Sequence, residues 1–158
     1  MNSSTLFLLA LAIGIVAGLR TFTAPAALVW AAHLNWISLD GTRVAFLHSW
    51  AALIVFTLLA LAEFVGDQLP STPNRTKPGP LGARIVSGAF CGSVVAMLGG
   101  QVLAIGAILG AIGAIVGAFG GYEIRTRSVK ALAMPDFAVA IPEDILAVVA
   151  GFLIFSRF

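Results

Sequence analysis

Residues 101–122 read QVLAIGAILGAIGAIVGAFGGY, an apolar stretch without a charged side chain. Its length fits the roughly 17–25 residues that a helix needs to cross a bilayer. Five of its glycines recur at steps of four, three, four and three residues: Gly106, Gly110, Gly113, Gly117 and Gly120. This spacing places them on one face of a helix, where small residues let a second helix approach closely. The stretch therefore predicts a membrane helix packed against another helix, either in the same chain or across a homodimer.

The composition of the whole chain indicates the same class of protein. Of its 158 residues, 59% are hydrophobic and 10% are charged, whereas soluble domains carry about 25% charged residues. We therefore expect an all-α, polytopic transmembrane helical bundle that forms a single domain over residues 1–158. The net charge of +2 comes from a few Lys and Arg beside apolar segments, so we expect no nucleic-acid partner.

Six apolar segments predict the helices of this bundle. They are residues 6–19, 22–37, 50–69, 83–98, 101–122 and 137–155. The second segment would rise only about 22 Å as a helix, so it is either a short crossing or a re-entrant helix. The predicted fold is five full spans plus this short element. Residues 70–80 are rich in proline and are predicted to hold no regular structure.

The Pro-rich segment leaves three predicted helices on either side. Two such halves, residues 1–78 and 79–158, would lie in the membrane with opposite orientation, as in inverted-repeat transporters. Each half places a small-xxx-small pair on its first helix: Gly14 and Gly18, and Gly88 and Gly92. This layout suggests a 3+3 inverted repeat.

Most charged residues collect at one face of the predicted bundle. If all six segments cross, the first, third and fifth end where the fourth and sixth begin. Seven of the nine Lys and Arg residues then lie on that face, which the positive-inside rule places in the cytoplasm. If the second segment is re-entrant, all of these groups except Arg20 still share the face.

Eight polar residues within or beside apolar segments are candidate substrate-binding residues: Arg20, Thr21, Thr23, Glu63, Asp67, Arg84, Glu143 and Asp144. An ionisable group inside a membrane helix costs about 2.5–3.5 kcal/mol on insertion scales and is a functional candidate by default. Arg20 separates two apolar segments, so it predicts an anion site at a broken helix. We expect five of them to meet in one polar site: Arg20, Glu63, Asp67, Glu143 and Asp144.

A structural interpretation exists for several of these residues. Glu63 and Asp67 share a helix face at a spacing of four, and Glu63 could simply pair with Arg20 or Arg84. Glu143 and Asp144 follow Pro142, so they could occupy the first turn of a helix, where negative charge is favourable.

Common catalytic and cofactor motifs are absent from the sequence. It contains no HExxH, GxSxG or Walker pattern, and we expect no cofactor. Cys91 is the only cysteine, which excludes a disulfide within the chain. His33 and His48 lie at segment ends beside aromatic residues and are interpreted as interfacial; a metal site is left open.

Several short motifs resemble the signature of a bacterial family of small integral membrane proteins defined only as a domain of unknown function. They are GLRTFTAP at 18–25, EFVGDQLP at 63–70, PNRT at 73–76, PGPLGAR at 78–84 and PED at 142–144. Gln68 departs from the pattern, where a lysine is expected. The resemblance spans nearly the whole chain and implies a multi-pass protein of the bacterial inner membrane, without implying an activity.

Three functions are compatible with these residues. The leading hypothesis is a transporter or permease for a small polar or anionic substrate. Arg20 would contact the anion, Glu63 or Asp67 would bind a proton or cation, and Glu143 and Asp144 would line the same cavity.

The first alternative is a membrane enzyme acting on lipid headgroups or lipid phosphates, with carboxylates holding a divalent metal. Its phosphate ligands would be Arg75, Lys77 or Arg84. The second alternative is a non-catalytic scaffold. The expected partners are membrane lipid, a small polar or anionic ligand and, through the glycine stripe, a second copy.

Overall fold

The computed structural model describes residues 1–67, 74–132 and 136–158. Within these ranges the chain forms six α-helices, one short 3-10 turn at Ala45–His48 and no strand. The helices are α1 (Ser3–Leu19), α2 (Thr23–His33), α3 (Trp50–Gly66), α4 (Pro78–Leu98), α5 (Leu103–Leu132) and α6 (Asp136–Phe155). The predicted all-α class is confirmed. The end of the third predicted segment, residues 68–69, and residues 70–73 of the Pro-rich segment lie outside the described ranges.

Three helices in the described part of the chain are long and apolar enough to cross a membrane. They comprise residues 78–98, 103–131 and 138–155. The apolar helices α1 and α3 are shorter, at 17 residues each. Large apolar side chains cover the outside of the long helices, as at Val86 (70% exposed), Ile124 (67%) and Ile145 (59%). An apolar exterior of this kind is typical of a protein surrounded by lipid.

Helix α5 packs between α1 and α4 through its glycine stripe. A Cβ added at Gly110 would overlap the carbonyl oxygen of Gly88, and one added at Gly14 would overlap that of Gly110. Gly106, Gly113 and Gly117 are equally close to α4 or α1. The backbones touch directly because neither side has a side chain between them.

Intramolecular packing thus accounts for four of the five stripe glycines. Gly120 has no atom of another residue near its Cβ position within 4 Å. A homodimer seam would have to use this end of the stripe, and the homodimer stays a prediction. The proposed repeat also stays a prediction. Helices α1 and α4 take equivalent places against α5, but the second helices of the two halves, α2 and α5, have 11 and 30 residues.

Helix α2 is short and lies inside the protein. Nine of its 11 residues are buried, and its length is about 16 Å. It ends four residues earlier than the predicted segment because Asn35 adopts a left-handed conformation with φ of 58°. The N–H groups of Asn35 and Trp36 bond back to the carbonyls of Ala32 and Ala31 at 3.1 and 2.9 Å. This is a Schellman cap, which closes the helix.

The direction of α2 decides between a short crossing and a re-entrant helix. The His33 ring at its end lies 4.2 Å from the Trp50 ring at the start of α3. A re-entrant helix would return the chain to the end of α1, and α3 would begin beside Arg20 instead. By this criterion α2 fits a short crossing, a topology that stays a prediction, and the chain reverses direction at each successive helix. One end of the bundle, called here the charged end, collects the ends of α1, α3 and α5 with the starts of α2, α4 and α6.

Two other predicted boundaries need correction. Helix α4 begins at Pro78, inside the segment predicted to be irregular, because proline is well tolerated in the first helical turn, where its missing N–H has no helical partner. Helix α5 continues ten residues beyond Tyr122 to Leu132. The stretch after Tyr122 contains no glycine or proline to end a helix, and Glu123 pairs with Arg127 at 2.7 Å along its surface.

Candidate functional site: a buried ion-pair network

Arg20 lies in the turn between α1 and α2, formed by residues 20–22, and its side chain is fully buried. Its Nε donates a hydrogen bond to Asp144 Oδ1 at 2.6 Å, and its Nη1 donates to Asp67 Oδ2. The guanidinium carbon is also 5.6 Å from the centre of the Phe64 ring. The sequence predicts a broken helix at Arg20; the structure instead shows a tight reversal between two antiparallel helices.

The guanidinium of Arg20 is shared by two carboxylates from different helices. Asp67 caps the end of α3, and Asp144 lies within α6. One positive and two negative charges leave this cluster with a net charge of −1. Arg20 Nη2 forms an ion pair with Asp144 Oδ1, yet it is buried and has no partner with hydrogen-bond geometry. The cluster therefore has more carboxylates than cations, and Arg20 Nη2 is held by an ion pair alone.

The cluster lies within an apolar span rather than at its edge. Asp144 is eight residues into α6, or about 12 Å from the start of the helix. On the outer face of the same helix, Ile141 and Ile145 are 48% and 59% exposed. The charged groups thus point into the bundle at a level where the outside is apolar, as expected for functional intramembrane charges.

Glu63 binds the backbone N–H groups of the turn instead of Arg20. Its two carboxylate oxygens accept the N–H groups of Thr21 and Phe22 at 2.7 and 2.8 Å. Helix N-termini leave such donors without helical partners and attract negative charge. The sequence analysis offers Arg20 or Arg84 as partners of Glu63; Arg84 lies 3.6 Å away, whereas Arg20 pairs elsewhere.

Arg84 and Ser87 of α4 bind the carbonyl groups of the same turn region. Arg84 Nε donates to the Gly18 carbonyl at 3.1 Å and Nη1 to Thr21 Oγ1 at 3.4 Å. Ser87 Oγ donates to the Thr21 carbonyl at 2.6 Å. Irregular backbone inside a membrane protein needs such internal partners. Ser87 is missed by the sequence analysis, although its spacing of three from Arg84 places both on one helix face.

Glu143 lies in a separate group of ion pairs. Arg75 binds it through two nitrogens, with Nη2 to Oε2 at 3.1 Å, and Arg125 Nη1 lies 3.7 Å from Oε2. Glu143 and Asp144 are neighbours in the chain but bind different arginines, and a single polar site for all five charged candidates stays a prediction. Arg75 appears in the sequence analysis only as a phosphate ligand, and Arg125 has no role there.

Thr23, the remaining candidate, begins α2 and is 3% exposed. Its Oγ1 is buried without a hydrogen-bond partner. The structure thus brings Arg20, Asp67 and Asp144 into direct contact, and it places Thr21, Glu63 and Arg84 around the adjoining turn. We use the name Arg20 network for the charged residues of both groups of ion pairs together: Arg20, Glu63, Asp67, Arg75, Arg84, Arg125, Glu143 and Asp144.

The described residues contain no cluster of metal-ligating side chains. Within them, no three His, Cys, Asp or Glu side chains lie together as a possible metal site. Cys91 is a buried free thiol. Comparisons with protein-family models, curated proteins and solved structures find no match to this chain. The family resemblance stays a prediction, and the chemistry must be argued from the residues themselves.

Proposed function

We propose that this protein is a membrane transporter for a small anionic substrate, coupled to protons through Asp67 and Asp144. The observation that carries the proposal is the fully buried Arg20 guanidinium, held by carboxylates from α3 and α6 at the turn between two helices. A buried arginine is suited to bind an anion because its planar group offers several donors in fixed directions. Because Asp67 and Asp144 compete for the same guanidinium, an anion can bind only when one of them releases Arg20.

Charge balance explains why the anion would travel with a proton. The Arg20–Asp67–Asp144 cluster already has a net charge of −1, so an added monovalent anion would raise it to −2. A proton on either aspartate restores the balance and frees a donor of Arg20 for the anion. Anion and proton would then each raise the affinity of the protein for the other, since such coupling is reciprocal.

The proposed topology is a multi-pass protein of the bacterial inner membrane with the charged end in the cytoplasm. Helices α1, α3, α4, α5 and α6 would be full spans, and α2 a short crossing followed by the loop that leads to α3. The support is that seven of the nine Lys and Arg residues belong to the segments that meet at the charged end. Cysteine labelling with an impermeant reagent at Lys77 and Arg43 would test it.

The enzyme alternative receives less support from the geometry. It requires carboxylates available to hold a divalent metal. Asp67 and Asp144 instead bind Arg20, Glu63 binds the turn backbone, and Glu143 binds Arg75. A metal would have to displace an arginine from Asp67, Asp144 or Glu143, or the backbone N–H groups from Glu63.

Proteoliposomes provide the direct test. The purified protein is reconstituted with the pH-sensitive dye pyranine inside, the membrane potential is clamped, and inward gradients of chloride, nitrate, phosphate and carboxylates are imposed in turn. A proton-coupled anion carrier acidifies the lumen with at least one anion, faster than protein-free liposomes do. Asp144→Asn should abolish the coupled proton flux, whereas Arg127→Gln, on the exposed face of α5, should retain it. Equal rates with and without protein for every anion would reject the proposal.

A further inference from the structure

A cleft between α2, α3 and α6 lies next to the Arg20 network. Its volume is about 130 Å³. The residues that matter for its chemistry are Thr23 and Trp30 of α2, Thr57 and Phe64 of α3, and Val148 and Phe152 of α6. Most of this lining is apolar or aromatic, with hydroxyl groups at two places.

The two hydroxyl groups differ in how they are bonded. Thr57 Oγ1 accepts a hydrogen bond from Trp30 Nε1 at 3.0 Å. Thr23 Oγ1 is buried and has no partner. A buried hydroxyl without a hydrogen bond costs about 1–3 kcal/mol on protein scales, so its presence in the wall of a cleft points to a ligand that bonds to it.

Phe64 connects the cleft with Arg20. Its ring lines the cleft, and the guanidinium carbon of Arg20 lies 5.6 Å from the centre of the same ring. Arg20 Nη2 is in an ion pair with Asp144 Oδ1 and, like Thr23 Oγ1, makes no hydrogen bond. The Phe64 ring thus borders both the cleft and the positively charged Arg20 guanidinium.

We propose that the cleft binds a small monocarboxylate with an apolar body about the size of a benzene ring. The carboxylate would accept hydrogen bonds from Thr23 Oγ1 and Arg20 Nη2, while the apolar body occupies the aromatic part of the cleft. This inference rests on the proposed function, because it names the substrate class of that same site.

Size and charge both favour this class over other anions. An engineered apolar cavity of about 150 Å³ binds benzene, which is close to the volume of this cleft. An inorganic anion would leave the apolar lining unfilled. A dicarboxylate would bring a second negative charge toward Asp67 and Asp144. The two negative charges of these aspartates already outnumber the single positive charge of Arg20.

Binding of benzoate to the purified full-length protein in detergent tests the proposal apart from transport. Isothermal titration calorimetry should show saturable binding of benzoate. Benzyl alcohol, which has the same ring without the carboxylate, should bind at least tenfold less tightly. Thr23→Val, which removes the unpaired hydroxyl at nearly constant shape, should weaken benzoate binding about tenfold. Ala60→Leu should abolish it by filling the cleft, because Ala60 is buried and lines the cleft.

Ala62→Leu is the matched control, since Ala62 is exposed on the same helix. It should bind benzoate as the wild type does. Equal affinity for benzoate and benzyl alcohol, or an unchanged affinity in both Thr23→Val and Ala60→Leu, would overturn the inference. Proton-coupled flux of an inorganic anion without benzoate binding would reject the substrate class and keep the transporter. Benzoate binding with no flux of any anion would keep the site and reject transport.

Discussion

Two regions of the bundle are held together by opposite means. The glycine core, made of α1, α4 and α5, is joined by direct backbone contact, as between Gly14 and Gly110. The outer helices, α3 and α6, are joined to it at the charged end by long charged side chains, as between Arg20 and Asp144, in addition to apolar packing. Backbone contacts allow one geometry, whereas side chains can exchange partners. The core is therefore the frame, and the outer helices are the part that can shift.

The signs of the charges follow the same division. All four carboxylates of the Arg20 network belong to α3 or α6, and its arginines lie on α4, on α5 or in the segments that end α1 and precede α4. Each described ion pair of the Arg20 network thus joins an outer helix to the core or to a segment beside it. Protonation of a carboxylate would loosen this boundary without disturbing the glycine contacts.

The largest effect on stability should come from removing Arg20, which joins the core to both outer helices. Arg20→Gln leaves Asp67 and Asp144 buried without their cation, and removal of one partner from a buried pair costs about 3–5 kcal/mol. The free energy of unfolding in detergent should fall by that amount. Adding Asp67→Asn and Asp144→Asn should recover most of the loss, because no unpaired charge then remains. A stable single variant, or a triple variant as unstable as the single one, would contradict the assignment.

The next largest effect should come from the core. Gly110→Ala adds one methyl group, which would overlap the Gly88 carbonyl oxygen and lie 3.1 Å from Gly92 Cα. Backbone cannot move aside locally, so the cost should reach about 3 kcal/mol, the upper end of the usual overpacking range. Gly120→Ala on the same stripe meets nothing within 4 Å and should leave the melting temperature unchanged. Equal melting temperatures for the two variants would show that the core is not closely packed.

A smaller effect is expected for Glu63→Gln. The amide keeps one acceptor for the turn, but its NH₂ group would face a second backbone N–H, at 2.7 or 2.8 Å in the wild type. One unsatisfied buried donor costs about 1–2 kcal/mol. Chemical unfolding would measure this loss. If Glu63 is instead the proton carrier, stability stays unchanged and the proton flux in liposomes disappears.

The smallest effect belongs to the exposed pair on α5. Glu123 and Arg127 are 54% and 78% exposed at a spacing of four residues, and such helix pairs contribute about 0.3–0.5 kcal/mol. Glu123→Gln should change the free energy of unfolding by no more than that, and salt should remove the difference. A larger loss would mean that the pair also contacts another part of the protein.

The sequence allows the helices and the glycine packing to be predicted because both depend on local patterns. Apolar length identifies each helix, and the spacing from Gly106 to Gly117 identifies the packing face. The predicted helix boundaries are wrong where local rules conflict. Pro78 both ends a loop and begins a helix, and the basic residues after Tyr122 extend a helix that is predicted to end there.

The candidate site is less predictable, because its pairings depend on how the helices meet. Arg20, Asp67 and Asp144 can be selected as charges beside apolar segments. Nothing local assigns Glu63 to the backbone of Thr21 and Phe22, since those N–H groups need a partner only once α1 and α2 reverse direction inside the bundle. The same is true of Glu143, which turns to Arg75 while its neighbour binds Arg20.

The distance along the chain between Arg20 and Asp144 has a consequence for biosynthesis. The two residues are 124 positions apart, and chains are made at roughly 5–20 residues per second. Arg20 therefore waits about 6–25 s after its own synthesis before its last partner exists. During that interval its charge must stay near the membrane surface or be sheltered by the insertion machinery. The ion-pair network at the charged end can thus be completed only once the first part of α6 has been made.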